Sequence, residues 1–218
     1  MLSEETNVPR SVVFSDADRC AQAIVDRVGY DLRLAVPVSV GKPILIVDAL
    51  YRLAEADRRV QLTIFTGLTL TLPRPRSSLE RRFAEPLLHR LFSGCVEPLY
   101  AAAVRQSRLA PNIRVYEFFL LAGQSLTNKL AQKSYISLNY SQVARHVEKV
   151  ETNVLAQLVA PHPTAARVSL SSNPDITLDM LPCVASRRAH EPTVFAVSSM
   201  RISPTCPAKR RSSARKST

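Results

Sequence analysis

Short runs rich in β-branched and other apolar residues, VQLTIFTGLTL and TNVLAQLVA among them, alternate along this chain with segments whose apolar residues recur at helical spacing. That alternation is the strongest constraint on the fold. Strands that read as continuous apolar runs are covered on both faces, and the segments between them have the length and pattern of crossover helices. The expected fold class is α/β, a mainly parallel sheet flanked by helices. With 218 residues, 46% of them hydrophobic, there is material for a sizeable core. No internal repeat is present.

Punctuation gives the elements. FSDADRCAQAIVDRVG has Ser15 as an N-cap, Asp18 three residues on, and Ala21, Ile24, Val25 and Val28 at helical spacing before Gly29. Leu32 to Val38 reads as a strand, Gly41 as a turn, and Pro43 as the first position of a helix. VQLTIFTGLTL supplies the next strand. Ser77 and Glu80 have capping-box spacing at the head of LERRFAEPLLHRLF, a helix that Pro86 should kink. NIRVYEFFLLAG is a third strand, LNYSQVARHVEKV an amphipathic helix with a solvated basic face, and TNVLAQLVA a fourth strand. ARVSLSSNPDITLDMLP then reads as a strand followed by a helix with Asn173 as cap and Pro174 first inside it, and PTVFAV as a closing strand.

Charge is unevenly placed. The formal net charge is +11, but the last 21 residues hold six Lys and Arg and no acid, leaving 23 basic against 18 acidic groups before them. A phosphate-binding footprint would therefore rest on the tail alone. Cys20, Cys95, Cys183 and Cys206 form no CxxC pair and read as idle thiols of a reducing compartment. His89, His146, His162 and His190 show no metal-ligand spacing, and GQSLT lacks the GxSxG pattern. With no apolar run of about 18 residues and an acidic MLSEETNVPR start, composition predicts a soluble, cytoplasmic chain without a membrane partner or a metal.

Candidate site residues are few. VGKP sets Gly41, Lys42 and Pro43 between a strand and a helix N-terminus, where backbone N–H groups and the helix dipole suit an anionic group. The GxxxxGK[ST] spacing of a P-loop is absent, and an ordinary strand-to-helix turn is the competing reading. Glu117, in VYEFF, is expected at a solvated strand edge; buried, it would need a partner or a raised pKa.

Several ordered blocks carry a resemblance. LRLAVPVSVGKPILIVDALYRLAEADRRVQLTIFTGLTLTLPRPRSSLERRFAEPLLHRLF, NIRVYEFFLLAGQSLTN, SYISLNYSQVARHV, NVLAQLVAP and SLSSNPDITLDMLP resemble the N-terminal part of the acetyl-CoA hydrolase/transferase family, a branch of the CoA-transferases. The resemblance implies a CoA-transferase N-terminal-like domain over 31–197 after a helical lead-in over 1–30. It also implies an enzyme acting on acyl-CoA thioesters through a glutamyl-CoA intermediate, by hydrolysis or by CoA transfer to an acid such as acetate. Coenzyme A enters as substrate thioester, with no bound cofactor. The family's nucleophilic glutamate belongs to a C-terminal half, so none of these acidic residues, Glu117 included, inherits that role. Gly41, Lys42 and Pro43 are the substrate-facing candidates. The implied partners are acyl-CoA, small carboxylates, the C-terminal catalytic domain and a second copy of the chain.

The resemblance stops at Val197, and 198–218 reads as a disordered basic tail or a frameshift product. With a permitted choice of synonymous codons, Ser199 to Ser212 in a neighbouring frame encodes VHEDLPYMPGEAEV, whose LPYMPG is family-like. The expectation is a fragment without turnover, poorly soluble because the face that meets the second half is exposed. The alternative is a noncatalytic protein whose basic tail contacts nucleic acid or another polyanion.

Overall fold

The computed structural model describes residues 12–75, 77–92, 94–161, 168–170, 173–187 and 191–199. The expectations for the tail, Cys206, His162 and His190 lie outside them, apart from residues 198 and 199.

Helix α1 (Ala17–Val28) buries Ala21, Ile24 and Val25 and ends at Gly29, whose N–H meets the Val25 carbonyl at 2.7 Å and whose φ of 95° turns the chain out of the helix. Its cap is Asp16 rather than Ser15: the Asp16 carboxylate accepts the Asp18 N–H at 2.9 Å, closer to the helix start than a Ser15 hydroxyl. Strand β1 (Asp31–Ala35) is shorter than the predicted run to Val38, because Pro37 has no N–H to continue the ladder. A single 3₁₀ turn (Ser39–Gly41) leads into helix α2 (Ile44–Ala56), with Pro43 as its N-cap residue instead of its first helical position. Strand β2 (Gln61–Thr66) follows.

Helix α3 (Ser78–Phe92) has the expected Ser77 hydroxyl on the Glu80 N–H at 3.1 Å and runs through Pro86. It buries no residue. Two short helices were not foreseen, α4 (Leu99–Arg105) and α5 (Lys129–Lys133), on either side of strand β3 (Ile113–Glu117). Helix α6 (Val143–Lys149) precedes strand β4 (Val154–Pro161), and β5 (Val168–Ser169) is only two residues long. Helix α7 (Thr177–Arg187) begins four residues after Asn173, so Asn173 and Pro174 do not open it: the Asn173 carbonyl oxygen of the side chain instead accepts the Asp175 N–H at 3.2 Å. Strand β6 (Val194–Ser199) is the last element among the described residues.

The sheet is mixed and mostly parallel, in the order β3-β2-β1-β4, with β6 parallel to β4 over 154–159 and β5 antiparallel to it at Ala160 and Pro161. The chain winds outward from β1 through β2 to β3, then returns to place β4 on the other side of β1. That reversal is the topological switch point, where the carboxyl ends of adjacent strands splay around a crevice.

One face of the sheet packs under α1, α2 and α4 around Leu32, Leu34, Leu50, Leu62, Ile64 and Val154, all with no measurable exposure. Each fully buried leucine or isoleucine contributes about 1.5–3 kcal/mol. The second face has a smaller core, Ala35, Phe65, Phe118 and Leu155 under Val143, Val147, Met180 and Val184 of α6 and α7.

Candidate functional site

Lys42 stands at the switch point with 4% of its surface exposed. Its ammonium donates to the carbonyls of Pro37 at 3.0 Å and Gly67 at 2.6 Å, with Leu68 at 3.5 Å. The side chain thus ties the segment after β1 to the segment after β2. Burial pulls its pKa from 10.5 down to about 7, against the opposing pull of the Glu117 and Asp175 carboxylates.

Residues after β4 close the corner. Asp175 accepts the Val38 N–H at 2.7 Å and the Tyr140 hydroxyl. Asn173 donates to the Val38 carbonyl at 2.7 Å, and its own carbonyl accepts from Gln157, whose Oε1 takes the Thr177 hydroxyl at 2.6 Å. Gly41 is required here: a Cβ would lie 2.9 Å from the Pro37 Cβ and 3.0 Å from the Asn173 carbonyl. Three of the five positive-φ non-glycine residues among those described, Ser39 at 54°, Leu68 at 43° and Asp175 at 49°, belong to this corner. Such backbone costs about 1–3 kcal/mol per residue and persists where surroundings hold it.

Glu117 is not at a solvated edge. β3 is the outer strand, but the chain at Ser134 to Ile136 covers it, with the Glu117 N–H on the Ser134 carbonyl at 3.2 Å and the Ile136 N–H on the Glu117 carbonyl at 3.0 Å. The side chain points under α4, where Thr69 donates its hydroxyl to the carboxylate and its backbone N–H adds a second bond. The Thr69 hydroxyl has one proton, so the Tyr100 hydroxyl 2.8 Å away must donate to it. A donor chain therefore runs Tyr100 to Thr69 to Glu117. Burial raises the Glu117 pKa, with Thr69 and Lys42 pulling the other way; burial also raises that of Tyr100, which stays protonated.

The Glu117, Thr69 and Tyr100 group forms one wall of a cavity of about 80 Å³ whose remaining lining includes Val104, Leu120 and Leu121. This is a carboxyl held by donors at the edge of a small, largely apolar space. Gly41, Lys42 and Pro43 are all buried and do not line it; Lys42 lies behind, acting on Glu117 through its charge. Sequence reasoning missed Thr69 and Tyr100, and the only hint of them was that a buried Glu117 would need partners.

Other candidates stay apart. Cys20 and Cys183 are half-buried and Cys95 is exposed, all three as free thiols. Among the described residues no group of three or more His, Cys, Asp or Glu side chains could hold a metal, and no helix is long and apolar enough to cross a membrane.

No protein-family description matches the sequence, and no curated protein does. Among solved structures the chain is similar to RipA from Yersinia pestis at 15% identity and a TM-score of 0.47, over 85% of this chain and 36% of that one. A single-residue variant of RipA gives 16% identity and a TM-score of 0.48, over 87% and 36% of the respective chains. The chain thus spans little more than a third of the length of these solved structures.

Proposed function

We propose that this chain is the first half of an acyl-CoA hydrolase or CoA-transferase that handles acyl-CoA thioesters and small carboxylates such as acetate. The observation that carries the reading is convergence. The five blocks that resemble the acetyl-CoA hydrolase/transferase family are distant in sequence, yet they supply Lys42, Thr69, Glu117, Tyr140, Gln157, Asn173 and Asp175 to one corner at the carboxyl ends of the strands. Lys42, Thr69 and Gln157 are buried, Glu117, Asn173 and Asp175 half-buried and Tyr140 exposed. A scaffold alone does not require so many mutually tied polar groups in one place.

In this reading the small cavity takes the short acyl chain, with Glu117 as its polar wall, and Gly41, Lys42 and Pro43 set the corner's shape and charge toward the carboxylate. The second half contributes the glutamate that attacks the thioester carbonyl, giving an acyl anhydride and then glutamyl-CoA, which water or acetate resolves. Coenzyme A is substrate, and the working compartment is the cytoplasm.

The test begins with the gene, read from codon 190 past the stop in all frames. A frame continuing as VHEDLPYMPG into a second half is expected, and that half mixed with this chain should turn over acetyl-CoA; if no frame does, the reading fails. The 218-residue chain alone is expected to show no turnover and no acyl adduct on Glu117. Robust hydrolysis by it that survives Glu117→Gln would overturn the assignment of the chemistry to the second half.

A further inference from the structure

Among the described residues, the second face of the sheet is only half covered. Helices α6 and α7 close its carboxyl end, and toward the other end a cavity of about 440 Å³ remains, within the range of about 300–1,000 Å³ common for small-molecule sites. Phe65, Tyr116 and Ile136 wall it, and Arg33, Arg114 and His146 line it.

Its polar groups are incompletely used. Arg33 turns its terminal nitrogens toward Asp31 at 3.6 Å, Glu151 at 3.1 Å and Glu191 at 3.5 Å, but its buried Nε has no partner. The buried Nε2 of His146 has none either. These are the two buried side-chain polar atoms left without a partner among the described residues, and both belong to residues lining the same cavity. Buried polar atoms are rarely left unpaired, and the two here mark the wall of this cavity as the part of the described structure where polar groups are least satisfied. Arg114 makes no ion pair among the described residues, so it brings an uncompensated positive charge. The His146 ring packs on Phe65 with centroids 5.0 Å apart, which places an imidazole nitrogen beside an aromatic wall.

We propose that this uncovered half-face, edged by Arg33, Arg114 and His146 and walled by Phe65, Tyr116 and Ile136, binds a small organic anion with a flat apolar body, of the aryl carboxylate class. The anion meets the exposed guanidinium of Arg114, and the ring lies along the aromatic wall. The site is on the opposite face of the sheet from the Glu117 cavity and does not depend on the function proposed for it.

The probe is benzoate, titrated into the 218-residue chain with histidine-selective NMR, the His146 resonance being identified with His146→Asn. Benzoate is expected to shift His146 saturably, with affinity falling about tenfold or more in Arg114→Gln, a surface change that leaves the core intact. The control Arg81→Gln, on α3, should bind as the parent does. An unmoved His146 signal, undiminished affinity in Arg114→Gln, or equal binding of the neutral isostere benzyl alcohol would each overturn the proposal.

Discussion

Helix α3 and the Lys42 corner are opposites. The helix carries strong local signals, a Ser77 cap and Leu79, Phe83, Leu87 and Leu91 four apart on one stripe, but Phe83 is 85% exposed and none of the four is buried by the described residues. The corner has three residues in left-handed backbone and no side-chain cap on α2, but its polar groups are tied across separations of up to 137 residues. Local signals make an element form; long-range bonds fix where groups stand. A stripe of apolar side chains is thus no guide to the core unless another element arrives to cover it.

Substitutions can test that contrast. Lys42→Ala should have the largest effect, a loss of about 2–4 kcal/mol in urea unfolding, since it strips buried carbonyls of their donor and leaves a void. A loss below half a kcal/mol would mean the corner is no better held than α3. Gly67→Ala comes next at about 1–3 kcal/mol, because its Cβ would stand 2.9 Å from the Phe118 ring.

The pH dependence of stability sharpens the same point. Lys42 has a folded pKa of about 7 against 10.5 unfolded, so the unfolded chain holds more protons between those values and stability rises with pH across that window. The contribution is at most about 1.4 kcal/mol per pH unit, and tyrosine ionisation begins to oppose it near about pH 10. Lys42→Met should flatten the rise in a series of thermal melts. The smallest effect is expected from Phe83→Ser on α3, within about 0.5 kcal/mol, together with less self-association in light scattering. A larger destabilisation would show that the stripe is covered in solution.

Much of the framework was legible. β-branched runs located β1 to β4 and β6, and apolar spacing with punctuation located α1, α2 and α3. Errors gathered where a residue had two suitors. Asn173 has the spacing of a helix cap, but its amide goes to the Val38 carbonyl 135 residues away. Glu117 sits on the outer strand, which reads as solvated until Thr69, 48 residues earlier, and the covering chain at Ser134 to Ile136 are known. Leu68 has no sequence mark of its positive φ, since the tie from Lys42 and the neighbouring peptides imposes it. The short α4, with three alanines in LYAAAVR, offered no side-chain cap to announce it.

The place of β4 also sets the order in which the molecule can be made. Leu34 and Ala35 of β1 pair on one side with Ile64 and Phe65, but on the other with Val154 and Leu155. At roughly 5–20 residues per second, a ribosome needs on the order of ten seconds to deliver that second neighbour. Through that interval the innermost strand of the finished sheet is a nascent edge, open to any other strand. The crevice that defines the candidate site closes late in the chain's synthesis, and a holdase that shields this edge would raise the yield of folded protein.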